Sequence, residues 1–303
     1  MLTNQIYYAS RIGLIGSCFV ENMGQKLEYF KFKNWINPYG IMFNPVAIEK
    51  ALFDIYTSKV YTKKDLVFNN ERWHSLHHHS EFSDKDAEKV VNKINQNIKL
   101  TREQLIETTH LIITLGTAWV YRHISKDVLV ANCHKIPQKE FSKGILSVKE
   151  ITISLDKSIA FVKELNPEVE VILTLSPVRH LKEGMIANSQ SKAQLLTAIH
   201  QIIDGESIHY FPSYELTIDD LRDYRFFTKD MLHPNETAIE YIWKVFNATW
   251  IHANTISTMK DVDYVQKGLT HRPFNADSEQ YQNFLKKIGV KKKELLKEFG
   301  IIF

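Results

Sequence analysis

The sequence predicts an α/β fold, a three-layer αβα sandwich around a mainly parallel sheet, with a helical C-terminal extension. Short apolar runs alternate along the chain with amphipathic helical patterns. Polar residues of the kinds found in active sites follow the apolar runs directly. In parallel α/β sheets, active-site residues lie at these carboxyl ends of the strands. Composition agrees, because 303 residues with 44% hydrophobic and 24% charged side chains are enough to bury a large core.

The spacing of apolar residues predicts the elements of the first half. Residues 11–15 read as a buried strand, and apolar residues at helical spacing follow it as far as Phe30. A second strand over residues 32–36 ends where Pro38 and Gly40 interrupt regular structure. Helices are then expected over residues 45–56, where a proline suits the first turn, and as one or two helices within residues 84–108.

The second half continues the alternation. Strands are predicted at residues 111–115 and 169–175, and helices at residues 148–165 and 189–203. Residues 121–147 show no clean period, so we expect a long excursion over the site. The segment after residue 255 is polar and helical, which predicts a domain at residues 1–255 and an appendage at residues 256–303.

A serine lies at the first strand-to-helix turn, in the run Gly16-Ser17-Cys18-Phe19-Val20. There a hydroxyl projects from the carboxyl end of a strand, and the free N–H groups of the helix point at an oxygen bonded to it. This arrangement suits acyl transfer. The alternative is structural, because serine is also a common N-cap.

A carboxylate and an imidazole lie three residues apart in Asp230-Met-Leu-His233-Pro234, ahead of another helix start. One short segment therefore offers a base, His233, and a group that orients it, Asp230. The structural alternatives are a capping carboxylate and a buried, hydrogen-bonded histidine.

Taken together and in this order, the two motifs resemble the SGNH (GDSL-like) hydrolases. The closer resemblance is to the GSCFA family, whose Gly-Ser-Cys-Phe-Ala signature reads with Val20 in the last position here. Further similar segments lie at residues 37–45, 115–119, 131–135, 175–180, 188–192 and 223–233. The resemblance implies Ser17 as nucleophile, His233 as base and Asp230 as its orienting group, in a serine-dependent acyl ester hydrolase or acyltransferase.

The resemblance also implies an oxyanion hole. The backbone N–H of Ser17 or Cys18 is one expected donor, and Gly40 matches the glycine that follows the second strand. After the third strand the group carries a side-chain amide, where this chain has Gly116-Thr117-Ala118. Thr117 is one candidate to replace this donor, through its hydroxyl or its backbone, and Asn44 and Asn132 from neighbouring loops are two others. Losing one such donor costs roughly 10²–10³ in turnover.

Loop residues supply candidates for substrate binding. Arg179 can bind an anionic or hydroxyl-rich substrate, or form an ion pair with acidic residues at positions 219–223. Aromatic side chains suit either stacking on a carbohydrate ring or packing in the core; they are Tyr39, Trp35, Trp73, Trp119 and Tyr121. The predicted substrate-binding residues are Asn44, Trp119, Asn132, His134 and Arg179.

Two other reactive groups give rival hypotheses. Cys18 is a thiol at a helix start, where its pKa is expected to fall, and Cys133-His134 resembles a second dyad. The histidines at residues 74–79 suggest zinc, but no cysteine or carboxylate completes a ligand spacing, so no metal site is predicted.

Composition narrows the partners. The net charge of +3 is small and dispersed, so neither nucleic acid nor a membrane is expected as a partner, and no glycine-rich phosphate loop predicts an organic cofactor. Without a signal-peptide pattern or an apolar span, the expectation is a cytoplasmic protein. The expected substrate is a small-molecule or carbohydrate ester, and the alternative is a non-catalytic carbohydrate- or ligand-binding protein of the same fold.

Overall fold

The computed structural model describes residues 4–303. The strands of this part of the chain are β1 (Arg11–Gly16), β2 (Lys33–Ile36), β3 (Val67–Asn69), β4 (Arg72–His74), β5 (His110–Leu115), β6 (Trp119–His123), β7 (Val128–Val130), β8 (Phe141–Ile145), β9 (Glu170–Leu175) and β10 (Ile208–Phe211). The helices are α1 (Phe19–Tyr29), α2 (Pro45–Tyr56), α3 (Ala87–Ile106), α4 (Val148–Leu165), α5 (Met185–Ile202), α6 (Ser213–Glu215), α7 (Glu236–Trp250), α8 (Ile256–Thr270) and α9 (Glu279–Phe299).

Five strands form the central sheet in the order β10-β9-β5-β1-β2, and all neighbours are parallel. The register places Gly16 of β1 opposite Thr114 of β5. Because every strand runs the same way, the turns after β1, β2, β5 and β9 meet at one edge of the sheet. The predicted functional segments that follow these strands are therefore neighbours.

Helices cover both faces of the sheet. Successive residues of β5 point in opposite directions, so Ile113 packs in a core with α2, α3, α4 and α5, whereas Ile112 packs in a core with α1, α7, α8 and α9. This three-layer arrangement confirms the predicted fold class. None of the helices within residues 4–303 combines the length and apolar character needed to cross a bilayer.

The structure differs from the prediction over residues 121–147. An irregular excursion was expected, but the segment contributes to an antiparallel sheet in the order β7-β6-β8, which starts at Trp119. Its strands are three to five residues long, and β8 exposes Ser142, Lys143 and Gly144 in a row. A short strand with little buried surface leaves no clear period of two in the sequence.

The C-terminal helices share a core with the rest of the molecule. Met259 and Val262 of α8 and Leu295 of α9 are buried in the same apolar cluster as Ile12 and Trp243. The boundary predicted after residue 255 coincides with the start of α8. The division into a domain at residues 1–255 and an appendage at residues 256–303 stays a prediction.

Candidate active site

The turn between β1 and α1 presents Ser17. A Cβ atom on Gly16, whose φ is 138°, would lie 2.1 Å from the carbonyl oxygen of Thr114, so only glycine fits there. Ser17 itself is fully buried, and its Oγ has no hydrogen-bond partner within residues 4–303. The hydroxyl caps no helix, since the N-cap residue of α1 is Cys18. The structure thus leaves a buried serine hydroxyl unused at the end of β1.

Asp230 and His233 form a hydrogen-bonded pair in the loop before α7. The Nδ1 of His233 lies 2.7 Å from Asp230 Oδ2, while Asp230 Oδ1 accepts from the Thr228 hydroxyl at 2.5 Å and from the Leu232 and His233 amides. The Thr228 hydroxyl, followed by these amides and the imidazole, holds the pKa of Asp230 well below its usual range. The carboxylate is therefore ionised and orients the imidazole.

The surroundings of His233 and Asp230 do not match the two structural alternatives, a buried core histidine and a helix-capping carboxylate. Both side chains of the pair are 45% exposed, so His233 is not a buried core histidine. The helix that follows is capped by Asn235, whose Oδ1 accepts from the Ala238 amide, so Asp230 is not its cap. Within residues 4–303, the Nε2 of His233 has no hydrogen-bond partner.

Arg179 holds the loop that carries this pair. Its backbone N–H donates to the carbonyl of Leu232 at 3.0 Å, and its Nη1 donates to the carbonyl of Met231 at 3.1 Å. The ion pair with residues 219–223 that the sequence left open is not formed in the described chain. Arg179 thereby fastens the Asp230–His233 loop to the segment that follows β9.

Ser17 and His233 lie at the same edge of the sheet. Ser17 follows β1, and the loop of His233 is bound to the residues that follow β9, with β5 between these two strands. In the described residues, no hydrogen bond joins Ser17 Oγ to His233.

A cleft opens at this edge, beside the small antiparallel sheet. Its lining includes four of the predicted site residues, Asn44, Thr117, Trp119 and Asn132, together with Cys133 and His180. Of the aromatic residues proposed for sugar stacking, Trp119 and Tyr121 line the cleft. Tyr39 is instead buried against His78, and Trp35 packs on Gly13 and donates to Thr108.

His134 lies outside this cleft, which corrects its predicted place. Its Nε2 lies 2.7 Å from the carbonyl oxygen of Ser75, and its ring packs against His74 with centroids 4.6 Å apart. Burial lowers the pKa of His134 to about 4. Asn132 supports the same loop by accepting from the His134 amide. Across residues 4–303, no group of three or more potential ligand side chains converges to hold a metal ion.

Most of the predicted oxyanion donors already form hydrogen bonds within the protein. The amides of Ser17, Gly40 and Thr117 each donate to a backbone carbonyl, and the Thr117 hydroxyl bonds with Ser191. The acceptors of the three amides are the carbonyl oxygens of Thr114 at 3.1 Å, Asn37 at 2.7 Å and Phe43 at 2.9 Å. Donors other than these three amides must therefore meet an oxyanion in this conformation.

The environment of Cys18 does not fit the rival nucleophile. Burial and the carboxylate of Glu21 raise the pKa of the Cys18 thiol, and the nearby amides and Lys192 offset this only in part. The helix start was expected to lower it. Burial also raises the pKa of Cys133. Neither thiol is therefore activated as a thiolate.

Lys192 had no predicted role, and the structure places its ammonium between the segments that follow β5 and β9. It is 2% exposed, and its Nζ donates to the carbonyl oxygens of Gly116 at 2.8 Å and Ser176 at 2.6 Å. Burial lowers its pKa to about 7. The sequence did contain a signal that Lys192 is buried. It lies on the same face of α5 as the buried residues Asn188 and Leu195, at helical spacing from both.

Asn37, at the end of β2, supports the nucleophile turn from the other side. Its Oδ1 accepts from the Gly16 amide at 2.8 Å, and its own amide donates to the carbonyl of Leu14. Because an amide N–H needs an oxygen acceptor, this bond fixes the orientation of the Asn37 carboxamide. The Nδ2 atom is left buried without a partner in residues 4–303.

Comparison with known proteins identifies the family. The family model described as GSCFA family matches residues 11–246, and the model described as GSCFA domain protein, C-terminal domain matches residues 262–300. A comparison with curated proteins gave no significant match.

Similar solved structures include a carbohydrate esterase family 3 protein from Talaromyces cellulolyticus (9% identity, TM-score 0.38, 83% of this chain and 99% of that one). Another is an acetyl esterase S10A mutant with acetate ion, with 11% identity and a TM-score of 0.37 over 84% of this chain and 99% of that one. A third is an acetyl xylan esterase from the rumen bacterium Butyrivibrio proteoclasticus, with 8% identity and a TM-score of 0.39 over 80% of this chain and 65% of that one. The two family models between them span most of the sequence, and on that ground the chain belongs to the GSCFA family.

Proposed function

We propose that this protein is a serine-dependent acyl ester hydrolase that forms an acyl-enzyme on Ser17. The observation that carries the proposal is the Asp230–His233 pair, joined at 2.7 Å, with His233 Nε2 free and at the same sheet edge as the unused Ser17 hydroxyl. An ionised aspartate on Nδ1 leaves Nε2 as the basic nitrogen of the imidazole. The resemblance of the two motifs to the SGNH hydrolases supports the same roles.

The reaction follows from these roles. Ser17 Oγ attacks the carbonyl carbon of the ester while His233 Nε2 takes the hydroxyl proton, and Asp230 stabilises the resulting imidazolium. The tetrahedral intermediate collapses when His233 returns that proton to the leaving alcohol. Water, deprotonated by His233, then attacks the acyl-enzyme and releases the carboxylic acid and free Ser17.

Catalysis requires His233 to approach Ser17 more closely than in this conformation. Catalytic hydrogen bonds are often long without substrate and shorten in the Michaelis complex. The half-exposed loop of His233 is bound to its neighbours mainly through Arg179, and Met231 within it has a φ of 60°. Substrate entering the cleft is therefore expected to draw this loop toward β1.

The cleft favours an O-acylated carbohydrate as substrate. Trp119 and Tyr121 form an aromatic wall, and the ammonium of Lys143 lies 4.4 Å from the ring centroid of Trp119. Aromatic faces stack on sugar rings, and polar groups around them bind hydroxyls. Asn132 suits the second task, whereas Asn44, which also lines the cleft, is buried and caps α2 through its Oδ1. If a sugar hydroxyl replaces water as acceptor, the same acyl-enzyme performs acyl transfer.

A fluorophosphonate probe tests the proposal without knowledge of the substrate. We expect intact mass spectrometry to show one adduct on wild type and none on Ser17→Ala. The matched control is Ser154→Ala, because Ser154 on α4 is equally buried and its Oγ also lacks a partner, yet it belongs to the opposite core. An adduct that persists in Ser17→Ala, or its absence from wild type, would contradict the proposal.

The engaged oxyanion donors favour a second candidate, a carbohydrate-binding protein without turnover. The amides of Ser17, Gly40 and Thr117 are all bonded within the protein. This alternative predicts that acetylated xylo-oligosaccharides bind wild type and Ser17→Ala equally in calorimetry, while no acetate is released. Release of acetate by wild type alone excludes it.

A further inference from the structure

His180 is a half-buried histidine at the cleft with no assigned role. It follows β9, lines the cleft, and its Nε2 atom is buried without a hydrogen-bond partner within residues 4–303. One contact holds its backbone and another holds its ring. Asn188 Oδ1 accepts from the His180 amide at 2.9 Å, and the ring of Phe43 meets the imidazole edge-on at 5.2 Å between centroids. A buried polar atom without a partner is costly, so its retention calls for an explanation.

The unpartnered atom lies against the strand that supports the nucleophile. A Cβ atom on Gly116 would lie 3.0 Å from His180 Nε2, so the imidazole contacts the backbone at the end of β5. Two residues earlier, the carbonyl of Thr114 accepts from the Ser17 amide. His180 therefore contacts the segment after β5 two residues beyond the carbonyl that holds the Ser17 amide.

We infer, on the basis of the proposed function, that the Nε2–H group of His180 donates a hydrogen bond to the oxyanion formed when Ser17 attacks the ester. It takes the place of the side-chain amide that related hydrolases carry after the third strand, where this chain has Thr117. The side chain of Asn188 and the ammonium of Lys192 position it.

The surroundings make His180 a donor rather than a base. Burial, followed by the charges of Lys192 and His233, lowers its pKa to about 3, so the imidazole is neutral and accepts a proton poorly. A neutral imidazole still carries one N–H group, which can stabilise a developing negative charge without transferring its proton. Proton transfer is left to His233.

Lys192 keeps the donor in place. Its ammonium joins the carbonyls of Gly116 and Ser176, and so fixes the separation of the residues that follow β5 and β9. His180 leaves the second of these segments and contacts the first. Movement of either would change the distance from Nε2 to the oxyanion, on which the stabilisation depends.

Substitutions that move or remove the donor test the inference. His180→Phe keeps a ring without the N–H, His180→Asn places an amide too short to reach the Nε2 position, and His180→Gln places its amide near that position. We expect the rate constant for fluorophosphonate labelling of Ser17 to fall roughly 10²–10³-fold in the Phe and Asn variants, and to recover at least about tenfold in the Gln variant. Turnover of p-nitrophenyl acetate should fall through kcat rather than KM.

The control is His123→Phe, which changes another buried histidine on β6 that packs edge-on against Phe141. Its labelling should match wild type. Equal rates in wild type and His180→Phe would overturn the inference while leaving the proposed function intact. Failure of wild type to label overturns the proposed function, and the role of His180 with it.

A measurement on wild type covers the case in which the variants do not fold. In proton–nitrogen spectra of the histidine side chains, the Nε2–H proton of His180 should move downfield when the phosphonate occupies Ser17, because it then donates to a phosphoryl oxygen. An unchanged resonance after complete labelling would overturn the inference.

Discussion

The ammonium of Lys192 is buried among backbone carbonyls and apolar side chains, and its burial makes the free energy of unfolding depend on pH. Burial lowers its pKa from 10.5 to about 7, so the folded chain binds this proton less tightly than the unfolded chain. Between these two pH values the unfolded state holds more protons, and stability therefore rises with pH. Below about pH 7 the folded protein bears the full free-energy cost of burying the charged lysine. Above pH 10.5 the lysine is neutral in both states, and this cost is absent.

We predict that Lys192→Met removes this contribution to the slope of unfolding free energy between pH 7 and 10, as measured by urea unfolding at four pH values. The variant is also less stable at high pH, since the carbonyls of Gly116 and Ser176 lose their donor. Lys157→Met, on the exposed face of α4, is the control that keeps the wild-type slope. A Lys192→Met slope equal to that of wild type would count against the buried, titrating lysine.

Single residues also show the limit of sequence reasoning about the oxyanion hole. The expected donors were identified by type and position, yet whether an amide is free depends on which carbonyl it meets. Phe43 lies far from Thr117 in the chain, and its carbonyl oxygen takes the Thr117 amide only because the two loops meet at the sheet edge. His180 became a candidate for the converse reason, since its Nε2 meets no acceptor among residues 4–303.

Helix α7 and the loop before it depend on one another through Asn235. Its Oδ1 caps the helix at the Ala238 amide, and its Nδ2 donates to the carbonyl of Arg225 at 2.7 Å. We predict that Asn235→Ala costs about 1–2 kcal/mol of stability and slows labelling of Ser17, because the neighbouring loop carries His233. Chemical denaturation and the probe measure the two effects.

The control is Ser278→Ala, which removes the corresponding cap of α9, where Ser278 Oγ accepts from Tyr281. It should lose comparable stability and label at the wild-type rate. If both variants label equally, the capping of α7 does not position His233.

Elements were predicted well where burial left a strong period. The helix at residues 45–56 and the helix at residues 148–165 have the predicted bounds, because their buried positions recur at helical spacing and a proline or a capping box marks the start. Strand β10 was missed, since it is four residues long, mostly half-buried and, in the described part of the chain, paired only with β9. The small antiparallel sheet was not predicted for the same reason, because its strands are also short and only partly buried.

At the scale of the molecule, two apolar cores lie on opposite faces of the sheet, and the second extends into the C-terminal helices. Ile288 of α9 is buried in it and contacts α8 at Gly268. We predict that Ile288→Ala lowers the free energy of unfolding by about 2–5 kcal/mol and shifts one calorimetric transition as a whole. Leu296→Ala, exposed on the same helix, should change little. Two separate transitions would instead support an independent appendage.

The sequence by itself determined what local physics decides: the alternation of strands and helices, the glycine-serine turn after β1, and a carboxylate placed three residues before an imidazole. These depend on apolar periodicity, backbone conformation and hydrogen bonds between residues close in the chain. The tertiary structure alone decided which donors already have acceptors, and that Lys192 and His180 both contact the backbone at Gly116. Those properties arise from contacts between the ends of β1, β5 and β9, whose residues are far apart in the chain and meet only when the sheet has formed.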